Sequence, residues 1–178
     1  MAEPPTTSTS DLVEVVMQAR AGDPTAFEEL VNRTEKLLKK LAYPIVGENL
    51  MQDALQETYL LAFRNIGRLR EAGSFIPWLS RTCLHVCYQL RKQGQPAEQL
   101  EHRQVSPDQS GAVVARVTLQ QALNRLQRAD RDLLILREML GFSYEELAYT
   151  LRLNVGTVKS RLSAARKRLK ERLHPQEA

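Results

Sequence analysis

Residues 143–172 read SYEELAYTLRLNVGTVKSRLSAARKRLKER, and the rest of the chain is best understood around them. The pattern predicts two helices joined by a tight turn. Ser143 is placed to N-cap the first, and Glu146, three residues on, completes a capping box. That helix is expected to end near Leu151. After Arg152 and Leu153, Asn154 is placed to cap a second helix from Val155. Val155, Val158, Leu162, Ala165 and Leu169 recur at helical spacing and should face inward. The opposite side carries Gly156, Thr157, Ser160, Ala164 and Lys167. Lys159, Arg166 and Lys170 flank it on one shoulder, Arg161 and Arg168 on the other. Short residues along the centre let such a helix sit close to base edges, and basic shoulders reach phosphates, which dominate affinity for DNA. A helix-turn-helix presents its second helix to the major groove in this way. The competing reading is a solvated basic amphipathic helix. Caps, turn length and face partition agree on the groove reading.

The chain has 178 residues, enough for one or two small domains. No apolar run approaches the length of a membrane span, and no signal peptide is evident. No membrane insertion is therefore expected, and the expected compartment is cytoplasmic. Residues 1–10, MAEPPTTSTS, are polar and rich in Pro, Thr and Ser, the composition of a disordered tail. The net charge is only +4, but its excess lies after Gln93, mostly in the last helix. A modest total with a local basic stripe suits a DNA-binding module better than a general polyanion binder. Cys83 and Cys87 are four apart in a helical stretch with His85 between them, pointing away from the cysteine face. They read as two small buried hydrophobes rather than metal ligands or a disulfide. No metal, cofactor or catalytic residue is expected.

Ahead of the opening stretch the chain reads as a series of helices interrupted by a basic loop and a linker. A first helix is predicted over Asp11–Ala21, ended by Gly22. Asp23 caps a second, with Pro24 in its first position, and Tyr43-Pro44 is expected to break it. A third runs from about Glu48 to Asn65, and its apolar set is too wide for one stripe. Asp53, Gln56 and Glu57 share one face of it, with Leu60 and Phe63 beside them. Paired carboxylates invite an enzymatic reading. There is no neighbouring histidine, glycine-rich loop or second acidic cluster, so a polar solvated face wins on periodicity alone. A basic loop over Arg64–Ser74 leads to a fourth helix, FIPWLSRTCLHVCYQLRK. Its inward side is Phe75, Trp78, Leu79, Cys83, Val86 and Leu90. Its other side carries Arg81, His85, Tyr88, Gln89 and Lys92, which either track a nucleic-acid backbone and stack on bases or are simply solvated. Residues 94–111 have almost no apolar content and read as a linker. Helical spacing resumes at Ala112, with Val113, Val117, Leu119, Leu123 and Leu126. Asp130 is placed to cap a helix to about Leu140, ended by Gly141, and His174-Pro175 should stop the last helix.

SYEELAYTLRLNVGTVKSRL resembles the promoter-binding region 4 of bacterial sigma factors of the extracytoplasmic-function (ECF) type. RAGDPTAFEELV is similar to the start of region 2, and DALQE matches the D-x-x-Q-E of region 2 that grips the β′ coiled coil of RNA polymerase. The resemblance implies an all-α fold of two small helical domains joined by a flexible linker. Region 2 would occupy residues 11–93, the linker 94–111, and region 4 with its helix-turn-helix 112–178. Asp53, Gln56, Glu57 and Leu60 would bind core polymerase. Leu69, Arg70 and Glu71, with Trp78, Arg81, His85, Tyr88, Gln89 and Lys92, would contact the −10 element as it melts. Trp78 serves equally well as a core anchor for its helix. Thr157, Lys159, Ser160, Arg161, Ser163 and Lys167 would read the −35 element. The partners implied are core RNA polymerase, through its β′ coiled coil and β flap, promoter DNA in double- and single-stranded form, and an anti-sigma factor.

The chain departs from the family pattern at four positions. His85 stands for an asparagine, Gln89 for an aspartate, Arg152 for a turn glycine and Ala164 for an arginine. The first two change the hydrogen-bonding pattern offered to a captured base, and an alanine meets only a thymine methyl or nothing. Two rivals stay open. One is a stand-alone helix-turn-helix regulator, although no dimer interface is apparent. The other is a sigma-like interaction protein that does not open promoters.

Overall fold

The computed structural model describes residues 9–93 and 119–173, all helix, turn or loop, with no strand among them. Expectations that rest on 94–118, including Val113, Val117 and the linker, lie outside the described residues, as does the stop at His174-Pro175.

Helix α1 spans Thr9–Arg20, so it begins two residues before the expected Asp11, and Gly22 follows it at φ 98°. Helix α2 spans Pro24–Asn65. Asp23 caps it, its carboxylate accepting from the backbone N–H of Thr25 at 2.8 Å and Ala26 at 3.3 Å. The expected break at Tyr43-Pro44 does not occur there. Pro44 lies buried inside the helix, and the backbone turns at Gly47, whose φ of 72° only glycine adopts at little cost. The two arms, 24–46 and 48–65, therefore fold back on each other. Phe27 meets Phe63 edge to face, with ring centroids 5.1 Å apart, and the Tyr59 hydroxyl lies 3.0 Å from Thr34 Oγ1. Burial pushes the Tyr59 phenol up to about 12.

Helix α3, Phe75–Gln93, packs along α2 and buries Phe75, Leu79, Cys83 and Val86 as expected, with Leu84 and Cys87 beside them. Both cysteines are free, buried thiols, their sulfurs 3.9 Å apart.

In the C-terminal module a helical segment over 119–124 precedes α4, Arg128–Leu134, which continues as one wide π-type turn over Ile135–Met139. Asp130 does not cap α4. It sits buried in the first turn, 2.7 Å from Arg168. Gln127 takes the capping position without a side-chain bond. Leu119, expected on the apolar side, is 40% exposed. Helix α5, Tyr144–Leu151, opens on the expected capping box: Glu146 N–H donates to Ser143 Oγ at 3.1 Å and Ser143 N–H to Glu146 Oε2 at 2.7 Å. Asn154 Oδ1 accepts from Thr157 N–H at 2.7 Å and opens α6, Val155–Leu173, which buries Val158, Leu162 and Ala165.

Arg152 ends α5 in the left-handed region, at φ 55° and ψ 48°. A side chain with a β-carbon strains there by about 1 kcal/mol. Arg152→Gly should therefore stabilise the protein by about 1 kcal/mol. The denaturant midpoint should rise with an unchanged m-value; no rise would show that the turn already accommodates arginine.

The two modules do not stand apart. One apolar cluster runs through both, joining α2 and α3 to α4, α5 and α6. Packing is closest between α3 and α5 and between α2 and the π turn.

Candidate core-polymerase and nucleic-acid interfaces

Three surfaces carry the residues singled out from the sequence. The first lies on the second arm of α2. Ala54, Leu55, Thr58 and Ala62 are buried, which turns Asp53, Gln56, Glu57 and Leu60 outward. All four are exposed, and Phe63 continues the surface at 56% exposure, held by its edge contact with Phe27. Two carboxylates and an amide beside an apolar strip suit arginines on a partner helix, through charge-assisted bonds.

The second surface combines α3 with the loop before it. The loop holds two short 3-10 turns, Ile66–Arg68 and Ala72–Ser74. Leu69 does not lie on its outer side. Its backbone N–H closes the first turn on Ile66, and its side chain is only 3% exposed, so it is a core residue. Arg70 and Glu71 are exposed and are what the loop offers. On α3, His85, Gln89 and Lys92 face outward. Trp78 is half-buried, tilted against Phe75 with centroids 6.0 Å apart, as a core anchor would be.

Arg81 and Tyr88 are already engaged by the C-terminal module. Arg81 Nε donates to the Thr150 carbonyl at 2.8 Å and Nη2 to the Tyr149 carbonyl, and its guanidinium lies 5.5 Å from the centre of the Tyr149 ring. Burial, with Arg152 nearby, lowers the Arg81 pKa. The Tyr88 hydroxyl donates to Asp132 Oδ1 at 2.5 Å, and Arg128 stacks over its ring at 3.8 Å. Burial and the Asp132 carboxylate push the Tyr88 phenol up. Burial pushes the Asp132 carboxyl up to about 6, against the pull of Tyr88, Arg128 and Arg131.

The third surface is the outer side of α6. Lys159, Ser160, Arg161, Ser163 and Lys167 are exposed and Thr157 is half-buried. The shoulders are partly committed within the module: Arg166 donates twice to Glu138 Oε1 and Arg168 holds Asp130. Lys159 lies 5.5 Å from the Tyr144 ring centre.

Asp132, Tyr149 and Thr150 meet the α3 face, and sequence reasoning did not single them out. Their contacts span 44 to 73 residues of chain, so no local spacing signals them.

Comparison with known proteins gives two family matches: residues 30–97 with Sigma-70 region 2 and residues 116–169 with Sigma-70, region 4. The chain is 33% identical over 153 residues to the ECF RNA polymerase sigma factor SigM of Mycobacterium tuberculosis, covering 84% of this chain and 78% of that protein. It is 32% identical to the RNA polymerase sigma factor NccH of Alcaligenes xylosoxydans xylosoxydans, covering 85% and 89%. Among solved structures it is similar to the sigma factor RpoE of Bartonella quintana in complex with the anti-sigma factor NepR. That match has a TM-score of 0.66 and 26% identity, and it covers 85% of this chain and 98% of that one. CnrH in complex with the cytosolic domain of CnrY shares the fold at a TM-score of 0.76 and 23% identity, over 93% and 99% of the two chains.

Proposed function

The chain belongs to the extracytoplasmic-function sigma factors, and we propose that it binds core RNA polymerase, recognises the −35 and −10 promoter elements and helps open the duplex. Such factors are DNA-binding initiation factors and leave covalent chemistry to the polymerase. We assign residues 11–93 to polymerase binding and melting, 94–111 to the linker and 112–178 to the −35 element. Asp53, Gln56, Glu57 and Leu60 meet the β′ coiled coil, and region 4 docks on the β flap. Arg70, Glu71, Arg81, His85, Tyr88, Gln89 and Lys92 meet the −10 strand. Thr157, Lys159, Ser160, Arg161, Ser163 and Lys167 meet the −35 groove. The protein works in the cytoplasm, and a partner of the anti-sigma kind, as solved with the Bartonella protein, is part of this reading.

The observation that carries the proposal is the pairing on one chain of an exposed carboxylate–amide face on α2 with a doubly capped helix-turn-helix whose second helix turns basic and short polar residues outward. Run-off transcription with core polymerase tests it. Transcription from a selected promoter supports it. Promoter binding without polymerase, or polymerase binding without transcription, would favour a stand-alone regulator or a non-opening mimic.

Ala164, half-buried on the outer face of α6, offers only a methyl group where the family has arginine. Ala164→Arg should change the preferred −35 sequence, with about 1–3 kcal/mol of new discrimination at one base pair. Sequencing DNA recovered with the holoenzyme from a random upstream library reads this out, and an unchanged preference would remove Ala164 from the interface.

A further inference from the structure

We propose that the arginine-lined cleft between α3, α4 and the α5–α6 turn is a binding site for a small organic polyphosphate, of the nucleoside polyphosphate class.

The cleft has a volume of about 680 Å³. Small-molecule sites span about 300–1,000 Å³, and a cleft of this size is too small for a duplex. Four elements supply its cations: Arg81 and His85 from α3, Arg128 from α4, Arg152 from the turn and Arg161 from α6. Asp132 is the one carboxylate among its lining residues. It is buried and already engaged, by the Tyr88 hydroxyl at 2.5 Å and by Arg128 at 3.7 Å. Arg81 donates to neutral backbone carbonyls, and Arg152 and Arg161 form no ion pair among the described residues. The lining therefore carries positive charge that no facing carboxylate neutralises.

The cations also crowd one another. Burial, and then the nearby Arg152, lower the Arg81 pKa. An anion between these two guanidiniums relieves that repulsion as well as accepting new bonds. Arg152 stands at φ 55°, where glycine would be unstrained. Strained residues of this kind cluster at ligand clamps, and this one lines the cleft.

The lining selects the chemistry of the occupant. Guanidinium forks match phosphate oxygens two at a time, so forks from four elements call for several phosphates in a row. Leu84, Leu151 and Leu153 give the same cleft an apolar side, on which a nucleobase can bury a face. Because the single carboxylate is engaged, the guanidiniums, and not a divalent cation held by the protein, neutralise the phosphates. An occupant takes up Arg81 and Arg161, which the proposed function gives to the −10 strand and the −35 groove, so it competes with promoter DNA. Only that consequence rests on the functional reading.

Isothermal titration of the full chain with ATP, with EDTA present, should show saturable one-to-one binding. Inorganic triphosphate should bind about 10-fold more weakly, and adenosine not measurably. Arg152→Gly, which touches none of the residues assigned to polymerase or promoter, should weaken ATP binding about 10-fold or more while its denaturant midpoint does not fall. Arg125→Ala, exposed and outside the cleft, should leave the affinity within about twofold. Absence of saturation, equal losses in Arg152→Gly and Arg125→Ala, or triphosphate binding as tight as that of ATP would overturn the site. So would a single-stranded −10 oligonucleotide whose binding depends on Arg152 when that of ATP does not. The titration involves neither polymerase nor promoter. Its failure leaves the functional reading standing, and failure of run-off transcription leaves the cleft and its occupant standing.

Discussion

Reversing the charge of Asp53 and Glu57 together, each to lysine, should abolish association with core polymerase while leaving the fold intact. Both carboxylates are exposed one helical turn apart on α2, and neither has an ion pair within the described residues. Their replacement should change stability by no more than about 0.5 kcal/mol. At the interface the same change sets lysines against the partner's cations. Losing one such hydrogen-bonded pair typically costs about 2–5 kcal/mol, so two reversals should weaken binding more than 100-fold. Titration of labelled core polymerase measures this, and an affinity within threefold of the parent would remove the α2 face from the interface. Gln56→Ala should act in the same direction and far more weakly, because a neutral bond contributes about 1 kcal/mol.

Leu162→Ala should cost about 2–5 kcal/mol and disable the helix-turn-helix. Leu162 is 1% exposed on the inner face of α6, in the cluster that also holds Val158, Ala165 and Leu147. Close-packed neighbours collapse only partly into the hole such a truncation leaves, and small domains carry little spare stability. Recognition of the −35 element should be lost while polymerase binding survives, since Asp53, Gln56 and Glu57 are carried by α2. A denaturant series combined with promoter-binding measurements separates the two effects. Loss of polymerase binding as well would show that the shared core makes the two modules one cooperative unit.

Local physics accounts for most of what proved readable from residues alone. The capping box at Ser143 and Glu146, the Asn154 cap and the inward spacing of Val158, Leu162 and Ala165 involve neighbours within one or two turns, and all appear as expected. The strain at Arg152 follows from turn geometry in the same way. A local rule fails where it meets a stronger constraint. Pro44 has the local signature of a breaker, but glycine at position 47 makes the turn more cheaply and leaves the proline inside the helix. Local spacing suits Asp130 to a cap, but Arg168, 38 residues away, holds its carboxylate in the module's interior. The family resemblance puts Leu69 among base-contacting loop residues, yet a 3-10 turn directs its side chain into the core.

Amino-acid order alone thus specifies the helical class, the family, the exposed α2 carboxylates and the two caps of the helix-turn-helix, because each depends on periodicity or on bonds between near neighbours. The engagement of α3 by region 4 is decided only in three dimensions. Arg81 meets Thr150 across 69 residues and Tyr88 meets Asp132 across 44, and such pairings arise from the packing of whole helices, which no short window of sequence encodes.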